Sequence, residues 1–239
     1  HLRRLANSLA AVGIDDPLSP DAWRLMARTL IEAQAFADQS LYIQVTRGPA
    51  WPRNHAFPQE VTPTVFAYAE PLIPPPPEQV ATGITAITAE DIRWQRCNIK
   101  GCSMLANVLL KQMAADAGAG EVIMLREGEL IEGGASNVFI VRDGVILSPP
   151  PSGRMLTGIT YDVVRELAQA HGMPLALRGI SEAELRSADE VWITSSSKEI
   201  LAVVELDGRP VGNGVPGPIY RRMYDYYQAF KVAKMRPQA

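Results

Sequence analysis

Four consecutive prolines at positions 74 to 77, in the run IPPPPEQV, restrict what this chain can fold into more than any other feature. Proline fixes φ and lacks an N–H, so such a run can continue neither a helix nor a central strand and forms a stiff, extended connector. The reading places a small N-terminal domain over residues 1–73, an interdomain linker over 74–80 and a larger C-terminal domain over 81–239. A length of 239 residues with 47% hydrophobic content suits one large domain or two modest ones with real cores.

Before the linker, HLRRLANSLAAVG has Leu2, Leu5, Leu9 and Val12 at helical spacing and reads as the inside of an amphipathic helix. A chain entering in mid-pattern leads to the expectation that a first strand, with any site residue on it, lies upstream. Ser19-Pro20 supplies an N-cap and a first-turn proline for a second helix, AWRLMARTLIEAQ. LYIQVTRG and TVFAYAEP, rich in β-branched and aromatic residues, read as strands around the Pro-punctuated loop GPAWPRNHAFPQEVTP.

After the linker come a strand in TGITAIT, a polar loop DIRWQRCNIKG and a helix SMLANVLLKQMAADAG closed by glycine. The stretch EVIMLREGELIEGGASNVFIVRDGVILSPP reads as three strand-like runs of an antiparallel meander, broken by Glu127-Gly128, Gly133-Gly134 and Asp143-Gly144. A helix YDVVRELAQAHG, a strand PLALRGI, a short helix EAELRSAD, a strand EVWITSSS, a hairpin AVVELDGRPV and a final helix IYRRMYDYYQAF follow. Meanders separated by helices, without regular βαβ alternation, predict an α+β fold.

Function classes narrow by exclusion. A net charge of -3 with 21% charged residues offers no field for nucleic acid or anionic lipid, and no apolar run approaches the roughly 20 residues that span a bilayer. The two cysteines, Cys97 and Cys102, lack a second pair or His cluster for zinc, so no metal is expected and reduced thiols in the cytoplasm are. No dinucleotide fingerprint, Walker loop, GxSxG elbow or HExxH helix is present. A small-molecule partner remains.

What chemistry remains is scattered. Lys100, ending a polar loop before an apolar helix, is either a solvated surface lysine or a partly desolvated amine able to form a Schiff base. Arg53 and His55, two residues apart in PRNHAFP, are either solvated or a joint carboxylate holder. LTGIT leading into YDVVREL offers free N–H groups and the positive helix end to an anion, or a plain helix cap by Thr160. Tyr42 is either a pocket lining or a core aromatic.

Taken in order, DIRWQRCNIKG, EGGASNVF, MLTGITYDVV and WITSSSKEI resemble the D-amino-acid aminotransferase group of class IV (fold-type IV) pyridoxal-phosphate (PLP) enzymes over essentially the whole chain. The resemblance implies a small α/β N-terminal domain and a larger C-terminal domain with a barrel-like antiparallel sheet. It implies PLP joined to Lys100, whose amine then moves the proton between the substrate α-carbon and the cofactor. It assigns Glu132 to the pyridine nitrogen, which a carboxylate keeps protonated, with Ser136 and Asn137 in support and Leu156 against the ring face. The phosphate falls to the Ile159 N–H, the Thr160 hydroxyl, Ser195 and Ser196 in the hydroxyl run, and Arg4, with Arg3 facing solvent.

VTRG, PRNH and FP resemble the same group's trap for the substrate α-carboxylate, which assigns Arg53 and His55 to it, beside a tyrosine on a strand upstream of His1. Trp51 is an addition to the pattern, able to reshape the side-chain pocket. The family's loop reaches the partner subunit's site, so a homodimer with a shared active site is implied. The expected reaction moves the amino group of a D-amino acid to a 2-oxo acid such as 2-oxoglutarate in two half-reactions. Branched-chain aminotransferase, R-selective amine transaminase, aminodeoxychorismate lyase and a non-catalytic binding protein are the alternatives on the same fold.

Overall fold

A computed structural model describes residues 1–235, which fall into two units: His1–Ile73 with Ile99–Gly101, and Pro74–Asn98 with the residues from Cys102 onward. The short excursion at 99–101 carries Lys100 into the first unit, which a boundary drawn at the prolines does not foresee.

In the first unit the helical patterns form α1 (Leu2–Ala11) and α2 (Pro20–Glu32). Ser19 caps α2 by accepting the Ala22 N–H at 3.2 Å, and Pro20 occupies the first turn, where its missing N–H costs nothing. Trp23 anchors this helix: it is 2% exposed, and its indole N–H donates to Asp16 at 2.8 Å. β1 (Gln39–Thr46) and β2 (Thr64–Pro71) pair antiparallel with Tyr42 opposite Tyr68.

The second unit opens at the prolines, but the run expected to stay extended turns helical at Pro77. Here α3 (Pro77–Thr82) uses that proline as a first-turn residue. The remaining strands form one nine-stranded sheet. They are β3 (Ile84–Glu90), β4 (Glu121–Arg126), β5 (Glu129–Gly133), β6 (Asn137–Arg142), β7 (Val145–Ser148), β8 (Leu175–Leu177), β9 (Glu190–Ser195), β10 (Glu199–Leu206) and β11 (Arg209–Pro210). Their order is β5-β4-β3-β10-β9-β6-β7-β8, with β11 on β10. The helices are α4 (Leu105–Asp116), α5 (Ile159–Ala170), α6 (Glu182–Arg186) and α7 (Pro218–Phe230), the last running into a π-helical turn, Lys231–Met235.

Two expectations are corrected. The stretch read as three strand-like runs is four strands, because β4–β5 and β6–β7 are separate hairpins turned at Glu127-Gly128 and Asp143-Gly144. All four of those residues have positive φ, as tight hairpin turns require. Gly133-Gly134 does mark a turn, closed by the Gly133 N–H donating to the Ser136 carbonyl at 2.7 Å, but no β5–β6 ladder extends from it: β5 pairs with β4 and β6 with β9. The sheet is also mixed rather than antiparallel throughout: β3–β4, β3–β10 and β7–β8 are parallel. Parallel neighbours need long crossovers, and α4 and α5 supply two of them.

Beyond β8 the chain reaches the other edge of the sheet. The Leu130 N–H donates to the Ile180 carbonyl at 2.8 Å and Glu129 bridges Ser181, which curls the sheet toward a barrel. Both faces are covered, as β6 illustrates. Val138 and Ile140 enter a cluster with Ile84, Ile123 and Ile193, while Phe139 and Val141 join Trp192, Tyr161 and Tyr220 beneath α5 and α7. This two-sided burial explains the unbroken apolar runs in the sequence.

Candidate functional site

β5 ends by carrying Glu132 into the interior of the second unit, where it is 4% exposed. An ionised carboxyl there must be compensated by hydrogen bonds or an opposite charge, and four donor contacts converge on it. Arg93 Nη1 donates to Oε1 at 2.5 Å, Asn137 Nδ2 donates to Oε2 at 3.1 Å, and the Leu156 N–H lies 3.2 Å from both oxygens. Burial pushes the Glu132 carboxyl up to about 7 against the opposing pull of Arg93 and the Leu156 N–H. The result is a carboxyl of high proton affinity, able to hold a protonated ring nitrogen.

Arg93 is the site residue that the sequence reading missed. Its Nε and Nη2 donate to Asp91 at 2.8 and 3.0 Å, and Nη2 also donates to the Arg154 carbonyl at 3.1 Å. Arg126 donates to the other side of Asp91 at 2.8 Å, which completes a buried chain Arg126–Asp91–Arg93–Glu132. Burial alone would raise the Asp91 carboxyl, but hydrogen bonds from Arg93 and the nearby Arg126 charge hold it below its ordinary value. Burial alone would likewise lower Arg93, yet Asp91 and Glu132 hold it above its ordinary value. The available signal was the Asp-x-Arg spacing directly after β3, a short-range ion pair where the chain leaves the sheet. Arg96, three residues on, is exposed.

Asn137 joins this cluster to the next turn. Its Nδ2 also donates to the Leu156 carbonyl at 2.9 Å, and its Oδ1 accepts the Gly158 N–H at 3.1 Å. Gly158 is the N-cap of α5 and provides no side-chain cap, so the first-turn N–H groups lie outside the helix's own ladder. Glycine is needed there: a Cβ would stand 2.4 Å from Asn137 Oδ1. The alternative that Thr160 merely caps the helix is therefore overturned. Thr160 lies inside the first turn, 5% exposed and sharing a hydrogen bond with the buried Tyr227 of α7, and half-buried Ile159 precedes it.

Ser136, 7% exposed, donates to Glu121 rather than to Glu132, at 3.0 Å. Ser195 is half-buried and accepts the Lys198 N–H at 3.0 Å, while Ser196 is exposed at the tip of the same turn. Glu132, Asn137 and Leu156 are thus in direct contact, one hydrogen bond from the start of α5.

Lys100, Arg4, Tyr42, Arg53 and His55 belong to the first unit. The Lys100 N–H donates to Ser8 Oγ at 3.2 Å, and Ser8 lies one turn along α1 from the half-buried Arg4. Arg3 is exposed, as expected. Of the two readings the loop left open for Lys100, the structure shows the exposed one. In this turn Cys97 and Ile99 are buried while Asn98 and Lys100 are exposed.

Arg53 and His55 are exposed, with Asn54 Oδ1 accepting the His55 and Ala56 N–H groups at 2.7 and 3.2 Å. Arg47 braces their loop: its guanidinium lies 3.7 Å over the Phe57 ring and donates to the Val12 and Gly13 carbonyls at 2.5 and 2.6 Å. Tyr42 is 40% exposed and stacks on Tyr68 at 5.2 Å, so it is not a core aromatic.

Comparison with known proteins follows the same lines. The profile of the family described as amino-transferase class IV matches residues 1–206. D-alanine aminotransferase of Bacillus licheniformis is 40% identical over 223 residues, 93% of this chain and 78% of that enzyme. The enzyme of that name from Staphylococcus haemolyticus is 36% identical over 231 residues, 96% of this chain and 81% of its own length. Among solved structures, the Escherichia coli branched-chain amino acid aminotransferase superposes with a TM-score of 0.88 at 26% identity, covering 96% of this chain and 77% of that one. A second branched-chain enzyme, from the organism abbreviated T.th. and solved with pyridoxamine 5'-phosphate, gives 0.90 at 27%, covering 99% and 79%. With a buried acid fixed by Arg93 and Asn137 at the position the motif assigns, and with these matches along most of its length, the chain belongs to the class IV aminotransferases.

Proposed function

We propose that this protein is a PLP-dependent transaminase that moves the amino group of a D-amino acid, with D-alanine among its donors, to a 2-oxo acid such as 2-oxoglutarate. The observation that carries the choice of substrate is the 36–40% identity to enzymes named D-alanine aminotransferase, against 26–27% to the branched-chain enzymes that share the fold.

The residues present fit the cofactor. Glu132, buried and raised in proton affinity, is matched to a protonated pyridine nitrogen. The capless start of α5, with Ile159 and Thr160, is matched to a phosphate dianion, as are Ser195 and Ser196 in their turn. Arg4 adds a permanent cation for the phosphate, and Leu156 would pack against the ring. When bound, PLP supplies an electron sink for the electron pair left when the α-carbon loses its proton.

Lys100 would hold the cofactor's aldehyde, and its amine would serve as the base that moves a proton at the substrate α-carbon. Arg53 and His55 hold the substrate carboxylate, with Tyr42 beside the side chain.

A homodimer fits the face of α4. Leu105, Val108, Leu109 and Met113 are 73, 59, 50 and 51% exposed at helical spacing, an apolar stripe of the kind that a second copy covers. A cytoplasmic setting suits the free thiols Cys97 and Cys102, and among the described residues no helix is long and apolar enough to cross a membrane.

A half-reaction screen tests the reading. PLP-loaded protein is mixed separately with D-alanine, L-leucine, 1-phenylethylamine and aminodeoxychorismate, and conversion to the pyridoxamine form is followed spectroscopically. D-alanine is expected to convert it fastest; turnover of L-leucine without D-alanine would overturn the choice of substrate.

A further inference from the structure

Glu121 opens β4 with a fully buried side chain. An isolated carboxylate at that depth is costly, and this one gathers donors from three separate segments. Oε2 accepts from Ser136 Oγ at 3.0 Å and from Lys198 Nζ at 3.2 Å, while Oε1 accepts the Val122 N–H at 3.0 Å and faces Lys111 Nζ at 3.6 Å. Both lysines also donate to the Gly120 carbonyl, at 2.5 Å from Lys111 and 3.2 Å from Lys198. Burial lowers the Lys111 ammonium below its ordinary value, with Lys198 adding to the effect and Glu121 opposing it.

The two longer arms of this cluster end in the turns that matter for the proposed chemistry. Ser136 immediately precedes Asn137, which holds Glu132 and Gly158. The turn before it packs against the same acid: a Cβ on Gly134 would lie 2.8 Å from Val122 Cγ1 and 3.3 Å from Glu121 Oε1. Lys198 closes the hydroxyl-rich turn, its N–H donating to Ser195 Oγ. One carboxylate therefore braces two turns that lie far apart in sequence, just beyond the end of the β6–β9 ladder where Asn137 pairs with Thr194.

We propose that Glu121 is a positioning residue that, beyond the last β6–β9 pair, fixes the Ser195–Ser196 turn against the Ser136 turn through Lys198 and Ser136, so that the Ser195 and Ser196 hydroxyls form a preorganised part of a site for a phosphomonoester. This deepens the cofactor reading and rests on it. Preorganised donors bind without the cost of ordering them, so loosening the joint weakens affinity for the phosphate and spares the ring and its aldehyde.

The test compares PLP with pyridoxal, which lacks the phosphate, in the wild type, Glu121→Gln and Lys198→Met, with Kd read from tryptophan quenching. Each variant is expected to bind PLP about tenfold more weakly, the loss of one charge-assisted hydrogen bond, and pyridoxal within about twofold of wild type. The preference for PLP over pyridoxal then falls about tenfold. An unchanged preference in both variants, or an equal loss for both ligands, overturns the proposal. Lys198→Met keeps the test open if Glu121→Gln fails to fold. A wild type without preference for PLP defeats the cofactor reading itself and the proposal with it, an outcome distinct from failure confined to the variants.

Discussion

Replacing Arg93 by Met removes the centre of the buried ion chain while keeping an apolar side chain of comparable reach. The Arg93, Asp91 and Glu132 side chains are 7, 0 and 5% exposed, so solvent cannot take over the lost contacts. Asp91 keeps Arg126, and Glu132 keeps Asn137 and the Leu156 N–H. Removing one partner of a buried pair typically costs about 3–5 kcal/mol, because a charge is left without compensation. Glu132 can escape part of this by taking up a proton, as its raised proton affinity allows. The cost should therefore rise from about 3 kcal/mol at pH 6 toward about 5 kcal/mol at pH 8, because the wild-type carboxyl ionises beside Arg93 over that interval and the variant's, without Arg93, resists doing so. Urea unfolding of the cofactor-free protein reads this directly. In thermal melts, ~3 kcal/mol corresponds to a fall of about 6–12 °C for a chain of this size. The double variant Arg93→Met/Glu132→Gln should recover part of the loss, since no charge remains to be stranded. A loss below about 1 kcal/mol, the range of exposed ion pairs, or no recovery in the double variant would refute the coupling.

Two further outcomes follow from the same structure. Asp91 is held below its ordinary value of 3.8, so its stabilisation is complete above that value and disappears as pH falls through the lower folded-state value. Glu132, raised from 4.5 to about 7, acts in the opposite sense: the folded chain holds its proton more tightly, and stability falls as pH climbs across that interval. Urea midpoints of the cofactor-free protein should decline between pH 5 and pH 7, and Glu132→Gln should flatten the decline; an identical slope in the variant contradicts the assignment. On α4, Leu109→Glu places a charge in the exposed apolar stripe. Light scattering should show the mass fall from dimer to monomer with circular dichroism preserved, whereas an unchanged mass would remove α4 from the interface.

The elements were legible where one force dominated. Amphipathic spacing placed α1 and α2, and the Glu127-Gly128 and Asp143-Gly144 turns were visible because few residue pairs accept positive φ at both positions. Gly133-Gly134 marks a turn from which no β5–β6 ladder extends. Its glycines answer close packing, with a Cβ on Gly133 only 2.1 Å from Ser136 Oγ, rather than a hairpin. At the candidate site, motif resemblance pointed to Glu132 and Asn137, which the fold brings into contact, but only the Asp-x-Arg spacing separates Arg93 from Arg96 in DIRWQRC. Only the fold buries one and exposes the other. Glu121 was hidden similarly, as a charge at the head of an apolar strand reads as a solvated strand end until Ser136 and Lys198 arrive from distant segments.

Borohydride reduction of the PLP-loaded protein, followed by peptide mass spectrometry, tests the assignment of the cofactor lysine most directly. The pyridoxyl mass should appear on the peptide containing Lys100 and vanish in Lys100→Ala, although Lys111 and Lys198 are also present to compete for the aldehyde. Label on either of those lysines, or none on the Lys100 peptide, would contradict it.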